Sequence, residues 1–217
     1  MRKEDTMKNI KEALRLYAIT DRRFLRGRTM EEMVAEALVG GVSMLQFREK
    51  DLPTEEFLEE AIAIQKLCEN FDVPLIINDN IEVAIKSGAD GVHLGQSDLP
   101  PDFAELKKHG LLVGVTAKTA EQAKAAYEMG ADYLGVGALF GSATKEDAQS
   151  ITFATCREVC ESVPIPAVGI GGVNGENMQE LAGLPLQGVA VISAIFKSQD
   201  SREAARRLRE QSERLFA

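Results

Sequence analysis

Three short stretches leave apolar runs for residues that could do chemistry. "LQFREK" (45–50) alternates Leu45 and Phe47 with Gln46, Arg48 and Lys50. By the two-residue period of a strand, the apolar pair shares one face and the polar three share the other. "IINDN" (76–80) ends an apolar run in Asn78, Asp79 and Asn80, and "GVHLGQSD" (91–98) ends another in Gln96 and Asp98. Two cations in a low-dielectric interior are costly unless an anion meets them, so Arg48 and Lys50 point to a polyanionic ligand. The competing reading is that Glu49, Asp51 or other nearby carboxylates neutralise them structurally.

Asp79 and Asp98, at the ends of neighbouring strands, should repel, and one would resist ionising unless a cation sat between them. Magnesium suits such a pair, because it uses one or two carboxylates and completes its shell with waters and phosphate oxygens. Asp79 with Glu82 also fits a helix capping box, which would make it structural. Asp98 is harder to place that way, because Asp102 already matches the next cap. With Arg48 and Lys50 alongside, the set resembles a clamp for a metal-bound diphosphate.

Two further segments could bind phosphate. "GALFGSATKEDAQS" is the longest irregular stretch, and Gly141, Ser142, Thr144 and Lys145 offer backbone donors, hydroxyls and a cation. A solvated loop is the alternative there. "GIGGVNGEN" and "VISAIF" put Gly171, Gly172, Ile192 and Ser193 just after two late strands. His93 and His109 have no nucleophile partner at a recognisable spacing, so His93 reads as a hydrogen-bonded interior residue and His109 as a surface one. No P-loop, dinucleotide fingerprint or HExxH motif occurs.

The elements that must position these residues alternate along the whole chain. Strands are expected at "RLYAITD" (15–21), "SMLQFRE" (43–49), "PLIIND" (74–79), "GVHLGQ" (91–96), "LLVGVTA" (111–117), "YLGVGAL" (133–139), "PAVGIGG" (166–172) and "GVAVIS" (188–193). Helices lie between them, with capping boxes at Thr29/Glu32, Asp102/Glu105, Thr119/Gln122 and Asp200/Glu203. In "SGADGVHL" and "MGADYLGV" a helix ends at glycine and a short turn feeds the next strand. Eight such units without a long linker predict α/β architecture, a single (β/α)8 TIM barrel over 1–217, with 1–14 as an N-terminal leader or helix. A doubly wound open sheet is the rival. In barrels the chemistry sits at the C-terminal strand ends, and phosphate often binds after strands seven and eight.

Composition narrows the function. The 217 residues are 45% hydrophobic, enough for a globular core. A net charge of −9 opposes nucleic-acid binding, which needs a basic face. The basic run in "REAARRLRE" has acidic partners at helical spacing and reads as a solvated face. No apolar run is long enough for a membrane span, and the charged N-terminus lacks a secretory pattern, so a cytoplasmic protein is expected. Cys68, Cys156 and Cys160 show no metal-ligand spacing and read as small buried hydrophobes. No apolar stripe announces a subunit interface, and self-association into a homo-oligomer stays open.

Taken in order, "QFREK", "IINDN", "GVHLGQSD", "GVTAKT", "GALFGSATK", "VGIGG" and "GVAVISAI" resemble the thiamine phosphate synthase family, from about Leu16 to Arg207. The resemblance implies a (β/α)8 enzyme with small-molecule substrates. It would join 4-amino-5-hydroxymethyl-2-methylpyrimidine diphosphate to a thiazole phosphate or its carboxylated form, giving thiamine phosphate and pyrophosphate. It further implies that the run Gln46, Phe47, Arg48, Glu49 and Lys50, with Asn78, contacts the pyrimidine diphosphate. Asp79 and Asp98 would hold Mg2+. Thr116, where the family usually has serine, would touch the pyrimidine. Ser142, Ala143 and Thr144 would bind the thiazole phosphate, with Lys145 reaching the diphosphate. Gly172, Ile192 and Ser193 would complete the phosphate cradle. Arg48, Lys50 and Lys145 would be catalytic, through charge stabilisation in a dissociative reaction that needs no nucleophilic side chain.

The chain departs from the family pattern at Lys118, where histidine is common, at "GSAT" in place of Pro-Thr-x-Thr, and at Gly137-Ala138 in place of Gly-Pro. Two rivals remain: a thiazole tautomerase on the same fold, which lacks the paired aspartates, and a non-catalytic sensor of a phosphorylated metabolite.

Overall fold

A computed structural model describes residues 10–141 and 150–216. Eight parallel strands close into a barrel in sequence order: β1 (Leu16–Ile19), β2 (Met44–Phe47), β3 (Leu75–Asn78), β4 (Gly91–Leu94), β5 (Leu112–Ala117), β6 (Tyr133–Val136), β7 (Ala167–Ile170) and β8 (Val189–Val191). Each lies inside the stretch expected from sequence. Most end early because their last polar residues leave the ladder to build the mouth.

Strand alternation sorts the core into two layers. Leu45, Phe47, Leu75, Ile77, Val92, Val113, Val115 and Leu134 face outward and join the cluster shared with the helices. Tyr17, Ile19, Met44, Ile76, Tyr133, Val168 and Ala190 fill the barrel itself. The inward parity passes through Gln46, Asn78, His93, Thr116 and Ile192, so the register carries these residues to one interior surface.

The Gly-Ala-Asp repeats have a concrete task. Gly88 and Gly130 end their helices at φ +71 and +100, conformations that favour glycine. The aspartate two residues later then ties the incoming strand to its neighbour. Asp90 accepts from Leu75 N at 2.9 Å and donates its own N–H to Leu75 O at 2.9 Å. Asp132 does the same with Val113, at 2.7 and 2.8 Å.

The outer ring is less regular than eight equal helices. Helices Met30–Val39, Thr54–Glu69, Ile81–Ser87, Ala120–Met129 and Phe153–Glu161 are well formed, but Ala104–Lys108 has five residues. After β7 the described chain makes only a 3-10 turn, Met178–Leu181, where a full helix was expected. The Thr29/Glu32 capping box is complete, and Asp200 accepts from Glu203 N at 2.8 Å. Thr119 accepts from Gln122 N, but the Gln122 side chain takes Lys118 N rather than the cap N–H. Asp102 instead accepts from Ala104 N, which leaves Phe103 as the cap of a shorter helix.

Residues 10–13 are helical, and Ile10 and Leu14 close the bottom of the interior cluster. The last helix, Ser201–Phe216, packs on Met30–Val39 and closes the ring. Its basic residues pair within the helix, Arg206 and Arg207 with Glu203, as expected of a solvated face. All three cysteines are buried and free. Among the described residues no helix is long and apolar enough to cross a membrane.

Candidate active site

The C-terminal end of the barrel gathers the charged residues. Arg48 and Lys50 both follow β2 but splay apart. Arg48 leans toward β1, where its Nη1 lies 3.7 Å from Asp21 Oδ2. Its backbone is pinned by Thr20, whose Oγ1 accepts from Arg48 N at 2.9 Å. Lys50 reaches the other way, and its Nζ donates to Asp79 Oδ2 at 2.6 Å. A cleft of about 490 Å³ opens here, lined by Lys50, Asn78, Asp79 and Asn80 among others. A cleft of about 1190 Å³ lies at the opposite end, among Ser43, Pro74 and Leu112 at the strand beginnings. Size alone would select the wrong face; the convergent charge selects the mouth.

The capping-box reading of Asp79 is corrected. Asn80 is the cap of helix Ile81–Ser87, its Oδ1 accepting from Val83 N at 3.0 Å. Asp79 instead holds φ +60, a left-handed conformation uncommon outside glycine and asparagine. That twist turns its carboxylate to the mouth, where Oδ1 accepts from Gly95 N at 3.4 Å. Asp98 ends a 3-10 turn, Gln96–Asp98, and folds back on the same glycine: a Cβ on Gly95 would lie 2.7 Å from Asp98 Oδ2. The two carboxylates therefore flank one glycine. Two hard oxygen donors near one glycine suit magnesium, which would leave its remaining positions to water and ligand oxygens.

Beneath this rim lie Gln46 and Asn78, both nearly inaccessible at 3% and 4%. Arg48 Nε and Asn78 Oδ1 are buried and have no hydrogen-bond partner among the described residues. An unpartnered buried polar atom costs roughly 1–3 kcal/mol. Both atoms are places where a ligand or water would restore the bond.

Two of the expected contact residues have protein partners for their side chains. Phe47 is fully buried on the outward face of β2, its ring 5.1 Å from that of Phe57, so its side chain packs on a helix. Glu49 lines the cleft beside Lys50 and accepts from Arg22 Nε at 2.6 Å and from the backbone N–H of Lys50 and Asp51 at 2.7 and 2.9 Å. Burial pushes its carboxyl up, but these donors outweigh burial and hold it below the usual range. Glu49 neutralises Arg22, not Arg48 or Lys50.

Asp21 was not singled out from sequence. It is 3% exposed and bound by Arg23 at 2.6 Å, with Arg48 behind. Burial raises its carboxyl, and the Arg23 bonds and both arginine charges bring it below normal. An acid at the end of "YAITD" carried the same signal as "IIND". Tyr17 and Tyr133 were missed too: their hydroxyls meet 2.8 Å apart inside the barrel, from strands 116 positions apart in sequence.

The remaining expected residues fall as follows. Thr116 is half-buried on the inward face of β5, and its Oγ1 lies 3.0 Å from His93 Nε2. His93 is buried and His109 exposed, as expected. Gly172 (φ +69) and Ile192 follow the adjacent strands β7 and β8, and Ser193 opens a short helix, Ser193–Phe196. A Cβ on Gly172 would lie 2.7 Å from Gly141 O, so a bare glycine lets the two loops approach. Ser142, Ala143, Thr144 and Lys145 lie outside the described residues.

Comparison with known proteins shows the family. The family model described as thiamine monophosphate synthase matches residues 16–195. The chain is 42% identical over 196 residues to a thiamine-phosphate synthase of Ruminiclostridium cellulolyticum, covering 90% of this chain and 93% of that protein. It is 42% identical over 201 residues to one of Clostridium acetobutylicum, covering 92% and 94%. The solved thiamine phosphate pyrophosphorylase of Pyrococcus furiosus superposes with a TM-score of 0.88 at 37% identity, over 96% of this chain and all of that one. With relatives this similar over nearly its whole length, the chain belongs to the thiamine monophosphate synthase family.

Proposed function

We propose that this protein is a magnesium-dependent transferase that joins 4-amino-5-hydroxymethyl-2-methylpyrimidine diphosphate to a thiazole phosphate, or its carboxylated form. The products are thiamine phosphate and pyrophosphate, with CO2 from the carboxylated substrate. Family membership supports the reaction. The observation that carries the reading at this site is the mouth itself: Lys50 on Asp79, Asp98 folded behind the same glycine, and a buried Arg48 Nε with no described partner.

The residues suit a dissociative substitution. The pyrimidine CH2–O bond breaks, the electron pair leaves with the diphosphate, and the thiazole nitrogen donates a new pair to the resulting ring-stabilised cation. Lys50 and Arg48 would supply positive charge beside the departing oxygens, a role the family resemblance extends to Lys145, and preorganised charge is worth most as new charge develops. Asp79 and Asp98 would hold magnesium, which supplies further neutralisation of the diphosphate when bound. Gln46, Asn78 and Thr116 form the floor on which the pyrimidine lies. Ser142, Ala143, Thr144, Gly172, Ile192 and Ser193 serve the thiazole phosphate. Holding both substrates in one mouth converts the second step into a nearly intramolecular one.

The test is an assay with both substrates and magnesium. The reading predicts thiamine phosphate and pyrophosphate in equal amounts, and neither when one substrate is withheld. Folded protein that forms neither from both would overturn it; ring isomerisation of the thiazole alone would indicate a tautomerase.

A further inference from the structure

The two carboxylates at the mouth are supported in different ways. Asp79 directly follows β3 and is aimed by its own left-handed backbone. Asp98 lies beyond the end of β4, on the three-residue turn Gln96–Asp98, and no side chain caps that turn. The turn is closed by Asp98 N–H donating to Gly95 O at 3.1 Å, and Gln96, Ser97 and Asp98 are all exposed. A single 3-10 turn has poor hydrogen-bond geometry and is a weak platform for a ligand that must hold its place.

Two side chains reinforce it. Gln96 Nε2 donates to Thr116 O, near the end of β5, at 2.6 Å. A backbone carbonyl only accepts, so the Gln96 amide has one orientation in this bond, with its nitrogen toward β5. β4 pairs with β5 as far as Leu94 opposite Val115, and Thr116 comes next. The Gln96 side chain therefore continues the β4–β5 connection one step past the last paired residues and fastens the turn to a barrel strand. Ser97 Oγ donates to Asp98 Oδ2 at 3.0 Å and so engages one oxygen of the carboxylate itself. Hydrogen bonds between exposed groups replace bonds to water and add little to stability, so the consequence of these two is geometric.

We propose that Gln96 and Ser97 are positioning residues for the metal: Gln96 clamps the turn onto β5, Ser97 orients the Asp98 carboxylate, and together they hold it beside Asp79. The proposal rests on the reading of Asp79 and Asp98 as metal ligands given above. Groups that orient a ligating carboxylate are typically worth about 10- to 100-fold in metal affinity.

Manganese(II), a paramagnetic stand-in for magnesium, reports its own binding by loss of the electron paramagnetic resonance signal of the unbound ion, with no substrate present. Asp98→Ala sets the background from a chain of net charge −9. Gln96→Met keeps the side-chain length and loses the donor; Ser97→Ala removes the hydroxyl. Each should melt with the parent and raise the manganese dissociation constant about tenfold. In turnover, their magnesium requirement should rise with it, and saturating magnesium should restore kcat. Parent-like manganese affinity in both folded variants would overturn the proposal and leave the metal reading standing; a change in one alone would assign the task to that residue. A parent that binds no more manganese than Asp98→Ala would overturn the metal reading and the proposal with it.

Discussion

Lys50 Nζ sits 2.6 Å from Asp79 Oδ2, so the cation proposed for the diphosphate rests on the carboxylate proposed for metal. Both side chains are partly exposed, at 45% and 21%, and such a pair is worth only about 0–1 kcal/mol. It is weak enough to be exchanged when substrate and magnesium arrive together. Lys50→Gln should therefore change stability by less than about 1 kcal/mol in urea melts. Its kcat/KM for the pyrimidine diphosphate should fall on the order of 10²-fold. A large loss of stability with little loss of activity would make the pair structural.

Arg48 differs, because it is mostly enclosed and, among the described residues, only Asp21 meets its guanidinium, at one end. Arg48→Ala should lower kcat/KM on the order of 10²-fold in steady-state assays. Unchanged kinetics would leave Arg48 as nothing more than the counter-ion of Asp21.

Glu49 offers the opposite contrast. Its carboxyl is held below the ordinary value of 4.5 in the folded chain, and that of Asp21 below 3.8. A carboxyl depressed by folding contributes stability that is fully present above its unfolded value and lost as pH falls through the folded one. Glu49→Gln should destabilise by about 1–3 kcal/mol at pH 7, and the difference from the parent should shrink below about pH 4. Both Michaelis constants should hold. A selective rise in KM for the pyrimidine diphosphate would return Glu49 to the substrate contacts.

Gly114→Ala probes the interior layer by crowding it. The new methyl overlaps the Tyr133 ring, and overpacking a dense core costs typically about 1–3 kcal/mol. Thermal melts should show the loss; an unchanged Tm would mean that the tyrosine layer is loose.

The barrel was readable because its period is local. Leu45 and Phe47 against Gln46 and Arg48 announce their faces within four residues, and the Gly-Ala-Asp repeats announce each new strand. The mouth was readable only in outline. Composition could not decide between Asp79 and Asn80 as the helix cap; the backbone decides, by turning Asp79 left-handed and leaving the cap to Asn80. Nor could spacing show that Asp98 folds back to Gly95, a contact that depends on a 3-10 turn. Phe47 and Glu49 entered the expected contacts by lying inside "QFREK"; that the Phe47 ring packs on Phe57 and that Glu49 takes Arg22 depend on partners remote in sequence. The Tyr17–Tyr133 bond joins opposite sides of a closed barrel, and no local pattern encodes it.

The central claim is that a metal held by Asp79 and Asp98 draws charge from the departing diphosphate. The most direct measurement is pyrophosphate release titrated with magnesium, in the parent and in folded Asp79→Ala and Asp98→Ala. The account predicts saturable dependence on the metal in the parent and no metal-dependent turnover in either variant. Turnover that persists without magnesium, or near-parent rates in both variants, would contradict it.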